Sequence, residues 1–424
     1  MGVSAPKSGR HQRGRQHRSS AFVVFLLVLP RTAASYLAYL TAPLFLFEWR
    51  KISPLQVSML AGVFGYSLVS VFLTEASGGS SLTSYAIELA LIAPFILFAV
   101  GVPVISQRVV GVAVIRGLNV ILALVSIAKM PFEGIPYLTV PPDYWNGLFG
   151  LGGAKILTII GFYGILNELL SRERGFSVSR MALVASLLNF VVPSYLLGVI
   201  AGVIALSVTH VRKARVLVPL LIVVIPLTWW VASGRFDGID TTAQALLGSS
   251  PKEFAYAASF RILPETAFFG AGPGQFASTP QTWVDPGLAG SFAQRIPDVP
   301  GLNLTARYRD VVAPYTAVGL ESRWAFSSSA NQPFAGWATL LGEWGMVALL
   351  FIGGAVVRML RGAKQKALAA SAIFFIIVNA TDTWLDSPWM LACVLALLVA
   401  SGGVSSDPLA QSSLSGRSKQ ERTA

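Results

Sequence analysis

Residues 181–208 read MALVASLLNFVVPSYLLGVIAGVIALSV, an apolar stretch broken near its middle by Pro193 and Ser194. A helix needs about 20 apolar residues to cross the hydrocarbon core of a bilayer. This stretch is longer than that, and each arm on either side of Pro193 is shorter. Two readings stay open: a tight helical hairpin turning at Pro193, or one long tilted helix. The same pattern occurs in AFVVFLLVLPRTAASYLAYLTAPLFLF, which breaks at Pro30 and Arg31. It occurs again in AASAIFFIIVNATDTWLDSPWMLACVLALLVAS, which breaks at the polar NATDTWLDS. Single apolar runs cover 55–74, 84–104, 109–129, 148–170, 215–232 and 334–357. Together these segments predict an all-α, polytopic transmembrane helical bundle of about 10–12 spans.

Composition agrees. The 424 residues are 54% hydrophobic and 12% charged, with a mean hydropathy of +0.64. Soluble domains carry about 25% charged residues, and a large soluble core does not produce apolar runs of this length ending in basic clusters. The net charge of +12 raises a nucleic-acid reading, which its placement removes. Lys7, Arg10, Arg13, Arg15 and Arg18 precede the first apolar run, while Arg212, Lys213 and Arg215 lie between two others. Arg358, Arg361, Lys364 and Lys366 follow a third, and Arg417, Lys419 and Arg422 lie near the last residue. Basic clusters that alternate with spans encode orientation. They place both termini in the cytoplasm and the segments 130–147 and 233–333 outside, with no nucleic-acid partner. The single cysteine, Cys393, lies in an apolar run and allows neither an internal disulfide nor a cysteine metal site.

The chain therefore divides into a basic cytoplasmic tail (1–20), N-terminal transmembrane helices (21–232), a large external loop containing short helices (233–333), C-terminal transmembrane helices (334–402) and a second cytoplasmic tail (403–424). The loop carries seven basic residues against eight acidic ones, so it lacks the one-sided charge of a cytoplasmic loop. Within it, KEFAYAASFRILPETAFF has helical spacing of apolar residues and is expected to lie on or re-enter the membrane surface.

The glycine-rich stretch 270-GAGPGQ-275 follows that helix. It lacks the Lys-Ser/Thr of a P-loop and the spacing of a dinucleotide fingerprint. Two readings remain: a turn that reverses the chain, or a nest of backbone N–H groups approaching an anionic head group. No H-E-x-x-H, no compact acidic pair in the loop and no G-x-S-x-G occurs, so neither a metal nor a serine-hydrolase reaction is expected.

The run 252-KEFAYAASFRILPETAFFGAGPGQF-276 resembles a stretch of the bacterial O-antigen polymerase and O-antigen ligase-like membrane proteins. In those proteins a basic residue opens an amphipathic helix and a glycine-rich segment closes it, inside the large external loop. The order of elements is similar elsewhere: 146-NGLFGLGGAKIL-157, 192-VPSYLLG-198 and, after the loop, 340-LLGEWGMVALL-350. Tyr195 follows Ser194 where many members have an arginine. The segment 326-FSSSANQPFAGW-337 offers Asn331 but not the histidine of ligase-type members. This favours the polymerase branch over ligase-type transfer to a final acceptor.

The resemblance implies an enzyme of the bacterial inner membrane that needs neither cofactor nor metal. It would join lipid-linked oligosaccharide repeat units into a polysaccharide at the outer leaflet. Its partners would be a polyprenyl-diphosphate-linked oligosaccharide, the lipid bilayer, and flippase and chain-length regulator proteins. Loss of the diphosphate builds negative charge that arginine suits best. Arg261 is accordingly the first catalytic candidate, and Lys252, Arg307, Arg309 and Arg323 are substrate-binding candidates beside Gly270, Gly272, Gly274 and Asn331. Glu343, an ionisable group within an apolar run, is the second catalytic candidate, as base; Glu265, Asp310, Glu321, Asp382 and Asp386 are weaker ones. A lipid-linked-sugar flippase would instead show charges along a midplane path and inverted repeats. A different polyprenyl-phosphate glycosyltransferase would lean on acidic residues such as Glu75.

Overall fold

A computed structural model describes residues 54–76, 81–90, 112–136, 138–140, 144–148, 154–170, 178–194, 196–209, 251–276, 281, 300–312, 336–361 and 366–379. Among them the fold is all-α. The helices are α1 (Pro54–Ala76), α2 (82–90), α3 (Val112–Glu133), α4 (Ala154–Leu170), α5 (Val178–Val191), α6 (Leu196–Thr209), α7 (Pro251–Glu265), α8 (Gly336–Arg361) and α9 (Lys366–Asn379). A short π-helical turn spans Tyr308–Val312. Of the described residues, Ile115–Glu133 forms a helix both long and apolar enough to cross a membrane. Ala61–Leu73, Ala154–Leu166, Arg180–Val191 and Gly198–Thr209 are shorter apolar helices. The expected spans at 21–47 and 215–232, and the third broken stretch beyond Asn379, lie outside the described residues.

Helix α4 packs against α5, and α5 against α3; α6 packs against α9, and α8 bridges α9 and α7. The α4–α5 contact is close because 161-GFYG-164 removes side chains at the crossing. A Cβ on Gly161 would lie 2.5 Å from the backbone nitrogen of Phe190, and one on Gly164 2.2 Å from Oγ of Ser186. Small residues at such a crossing let backbones approach and pack without a hydrophobic driving force. Gly161→Leu is therefore expected to force α4 and α5 apart. Its cost is about 1–3 kcal/mol of overpacking, read as a lowered melting temperature of the purified protein in detergent; an unchanged melt would mean the crossing is looser than described.

Around this contact the core is aromatic. Phe162 stacks on Phe374 with ring centroids 4.5 Å apart, and Phe190 lies 5.6 Å from Phe162. These three rings tie α4, α5 and α9 into one body.

Pro193 does what a proline inside an apolar helix must. It has no N–H to offer and its ring crowds the preceding turn, so α5 ends at Val191 and α6 begins at Leu196. The two arms are neither a straight helix nor a hairpin packed along its length. Phe190 lies over Gly202 just past the bend, where a Cβ would come within 2.4 Å of the ring. Beyond it α5 belongs to α3 and α4, and α6 to α9.

The interior also holds polar groups that the apolar runs conceal. Asn119 donates from Nδ2 to the carbonyls of Ile115 at 3.0 Å and Ile160 at 3.2 Å. Asn189 donates to the carbonyl of Asn119 at 2.8 Å and accepts from Trp145 Nε1 at 3.3 Å. Arg116 and Glu168 form a bidentate pair between α3 and α4, with Nε–Oε1 at 2.5 Å and Nη2–Oε2 at 3.0 Å. Buried polar groups in a low-dielectric interior are tolerated when paired in this way. The opposite faces are apolar and uncovered, with Phe72, Leu124 and Val208 each about 60% exposed.

Candidate functional site

The site grows out of a defect in α8. At Gly345 the backbone turns to φ 63°, ψ −157°, a conformation that essentially glycine alone reaches without strain. A broken helix leaves carbonyls and amides without their i, i+4 partners, and in a water-poor interior each must find another. The glycine-rich loop supplies them. Ala271 N donates to Gly342 O at 2.7 Å, Gly272 N donates to Glu343 O at 2.9 Å, and Met346 N donates to Phe268 O at 3.0 Å. Helix α1 completes the set. The Tyr66 hydroxyl lies 2.6 Å from Phe269 O and 2.9 Å from Trp344 O. Ser70 Oγ donates to Gly270 O at 2.9 Å.

The glycines are what allow the loop in. A Cβ on Gly270 would stand 2.4 Å from the carbonyl oxygen of Glu343. One on Gly272 would meet Val71 at 2.6 Å, and one on Gly274 would meet the carbonyl oxygen of Ser84 at 2.3 Å. The loop is thus wedged between α8, α1 and α2. Phe276 seals it from below, its ring lying where a side chain on Gly342 would have to be.

Glu343 closes the arrangement. Its carboxylate is 1% exposed and accepts the backbone N–H of Gly274 on Oε2 and of Phe276 on Oε1, each at 3.1 Å. The sequence raises the possibility that this loop is an anion nest. The anion these two amides face is the protein's own carboxylate.

Gln275 extends the joint to the start of α2. Its side-chain amide receives Ser81 N at 2.8 Å and donates to Ser81 O at 2.9 Å. Gln281 donates to Ser84 Oγ at 2.6 Å and accepts Thr305 N at 2.9 Å. Thr305 Oγ1 in turn donates to Gln275 O at 2.7 Å. This relay fixes the turn at Tyr308–Val312, whose Tyr308 is fully buried, against the end of α7.

A second cluster forms there. Arg261, on α7, has Nε 3.8 Å from Oε1 of Glu265, and Arg307 donates from Nη1 to Oε2 of the same carboxylate. Arg261 is 58% exposed and Arg307 22%, and Phe260 on α7 and Phe268 in the loop just past its end are exposed as well. Arg309 and Asp310 are exposed on the following turn. Burial pushes the phenol of Tyr256, also on α7, up to about 12.

Of the sequence-selected residues, the structure joins Glu343 with Gly270, Gly272 and Gly274 in one buried joint. It joins Arg261 with Arg307 in one exposed cluster. Lys252 lies in the first turn of α7, while Arg323 and Asn331 lie outside the described residues. Sequence reasoning passed over Tyr66, Ser70, Gln275 and Gln281, while Gly345 stands beside Glu343 in the stretch 340-LLGEWGMVALL-350 that carries the resemblance. Gln275 was the one open to sequence reading, as a polar side chain inside an otherwise apolar, glycine-rich turn. No protein-family model, no curated protein and no solved structure matches the chain.

Proposed function

We propose that this chain is a polytopic membrane enzyme that extends lipid-linked oligosaccharide units into a polysaccharide, transferring glycan from a polyprenyl diphosphate. The observation that carries the reading is the convergence of Arg261 and Arg307, from segments far apart in sequence, on one exposed point beside the loop inserted in α8. The order of sequence elements resembling O-antigen polymerases supports it, as do the uncovered apolar faces of α1, α3 and α6, which suit lipid rather than water.

In this reading the segment 233–333 faces the outer leaflet. The acceptor's hydroxyl oxygen forms a bond to the donor's anomeric carbon. The bond from that carbon to the diphosphate oxygen breaks and its electron pair leaves with the diphosphate. The hydroxyl proton is released to water at this exposed site. Arg261 and Arg307 neutralise charge as it develops on the leaving group, where bidentate guanidinium contacts are strongest. Glu343 acts as a positioning residue: it holds the loop that follows Arg261 and does not touch substrate.

Arg261→Ala is expected to lower polymer output about 100-fold, the effect of losing one preorganised charge-stabilising group, while lipid-linked single units accumulate on the outer leaflet. Polymer of normal amount and length would overturn the reading. Accumulation of units on the cytoplasmic leaflet would point to a flippase instead.

A further inference from the structure

Glu265 is the odd member of the arginine cluster. An i, i+4 pair with Arg261 on an exposed helix contributes little by itself. Arg307, however, does not reach Glu265 from a free surface chain. Its segment is pinned by Thr305, bonded to Gln275 and Gln281, and by the fully buried Tyr308. Two guanidinium groups held by separate parts of the fold therefore face the two oxygens of one carboxylate. A phosphoryl group presents two oxygens to two guanidinium groups in the same manner. The cluster's charge, two positive and one negative, leaves it short of neutrality by one.

We propose that Glu265 is an internal stand-in for a ligand. Its carboxylate occupies an oxyanion site built by Arg261 and Arg307 and swings out when a diphosphate takes its place. The site would then be closed by the protein's own anion when empty, and only a group more highly charged than a carboxylate would open it. This inference rests on the polymerase reading for the identity of the ligand, not for the existence of the site. The shared chemistry is a diphosphate, whether free or carried on a lipid.

The test compares wild type, Glu265→Gln, Glu265→Asp and Arg307→Ala as purified full-length protein. Two probes are used: inorganic pyrophosphate in detergent solution, and mixed micelles doped with farnesyl diphosphate. Removing the competing charge in Glu265→Gln is expected to tighten diphosphate binding about tenfold, a change of about 1.4 kcal/mol. Glu265→Asp keeps the charge and should bind like wild type, and Arg307→Ala should lose binding. Tightening with the micelles alone identifies a lipid diphosphate; tightening with pyrophosphate alone identifies a soluble one. Unchanged or weaker binding by Glu265→Gln with both probes overturns the proposal and leaves Glu265 a brace for the end of α7. Tighter binding without any change in polymer output would leave the stand-in established and defeat the polymerase reading.

Discussion

Replacing Glu343 with alanine is expected to destabilise the protein by about 2–5 kcal/mol, the cost of leaving two buried backbone N–H groups without an acceptor at about 1–3 kcal/mol each. The amides of Gly274 and Phe276 lose their acceptor in a place that water does not reach. Glutamine should recover part of this loss. Its one carbonyl oxygen can accept a single amide, while its NH2 group is turned toward the other N–H, donor against donor. The order of melting temperatures in detergent should therefore be wild type, then Glu343→Gln, then Glu343→Ala. Hydrogen exchange should show Gly274 and Phe276 losing protection before the core of α4 does. If Glu343→Ala melts with wild type but loses all polymer synthesis, the carboxylate is chemical and not structural.

The second large effect is expected at Gly345. Alanine there must adopt φ 63°, ψ −157°, a strain of about 1–3 kcal/mol. Its Cβ would also stand 2.2 Å from the carbonyl oxygen of Phe268. That neighbour is backbone and cannot rotate away, so either the loop leaves α8 or α8 straightens and pushes it out. Limited proteolysis should then cut within 266–276, a segment expected to resist cleavage in the wild-type protein. Gly62→Ala is the matched control, since nothing lies within 4 Å of the added atom. It should be neutral or slightly stabilising, because alanine is the better helix former. Equal protease resistance in the two variants would mean that the break in α8 is not held by the loop.

Much of the helical layout was legible in the sequence. The apolar runs 55–74 and 334–357 correspond to Pro54–Ala76 and Gly336–Arg361, and 109–129 to Val112–Glu133, shifted by three or four residues at each end. Apolar content sets these boundaries locally, so a single chain displays them. The helical spacing of 252–269 likewise announces α7. What stayed hidden depends on partners distant in sequence. The resemblance picks out Gly345 beside Glu343 within LLGEWGMVALL, but not what it does there. Its role appears when Phe268, Ala271 and Gly272 supply the bonds that α8 lacks. Arg116 and Glu168 each look like a lone charge in an apolar run, and their pairing follows from the packing of α3 beside α4. The bend at Pro193 was foreseeable; the different partners taken by its two arms were not. For the site, residue type pointed to Arg261 and Glu343 separately, but the division between a buried joint and an exposed cluster needed three dimensions.

The inserted loop has a consequence for biogenesis. A segment such as α8 leaves the ribosome after residues 266–276, with a gap in its own ladder at Gly345. Its carbonyls at Gly342, Glu343 and Trp344 are answered by groups made earlier, from the loop and from Tyr66 on α1. In the proposed membrane reading, insertion of α8 on its own would strand those groups in lipid. Its stable placement is therefore tied to prior docking of a preceding segment, and the order of synthesis already provides that sequence of events.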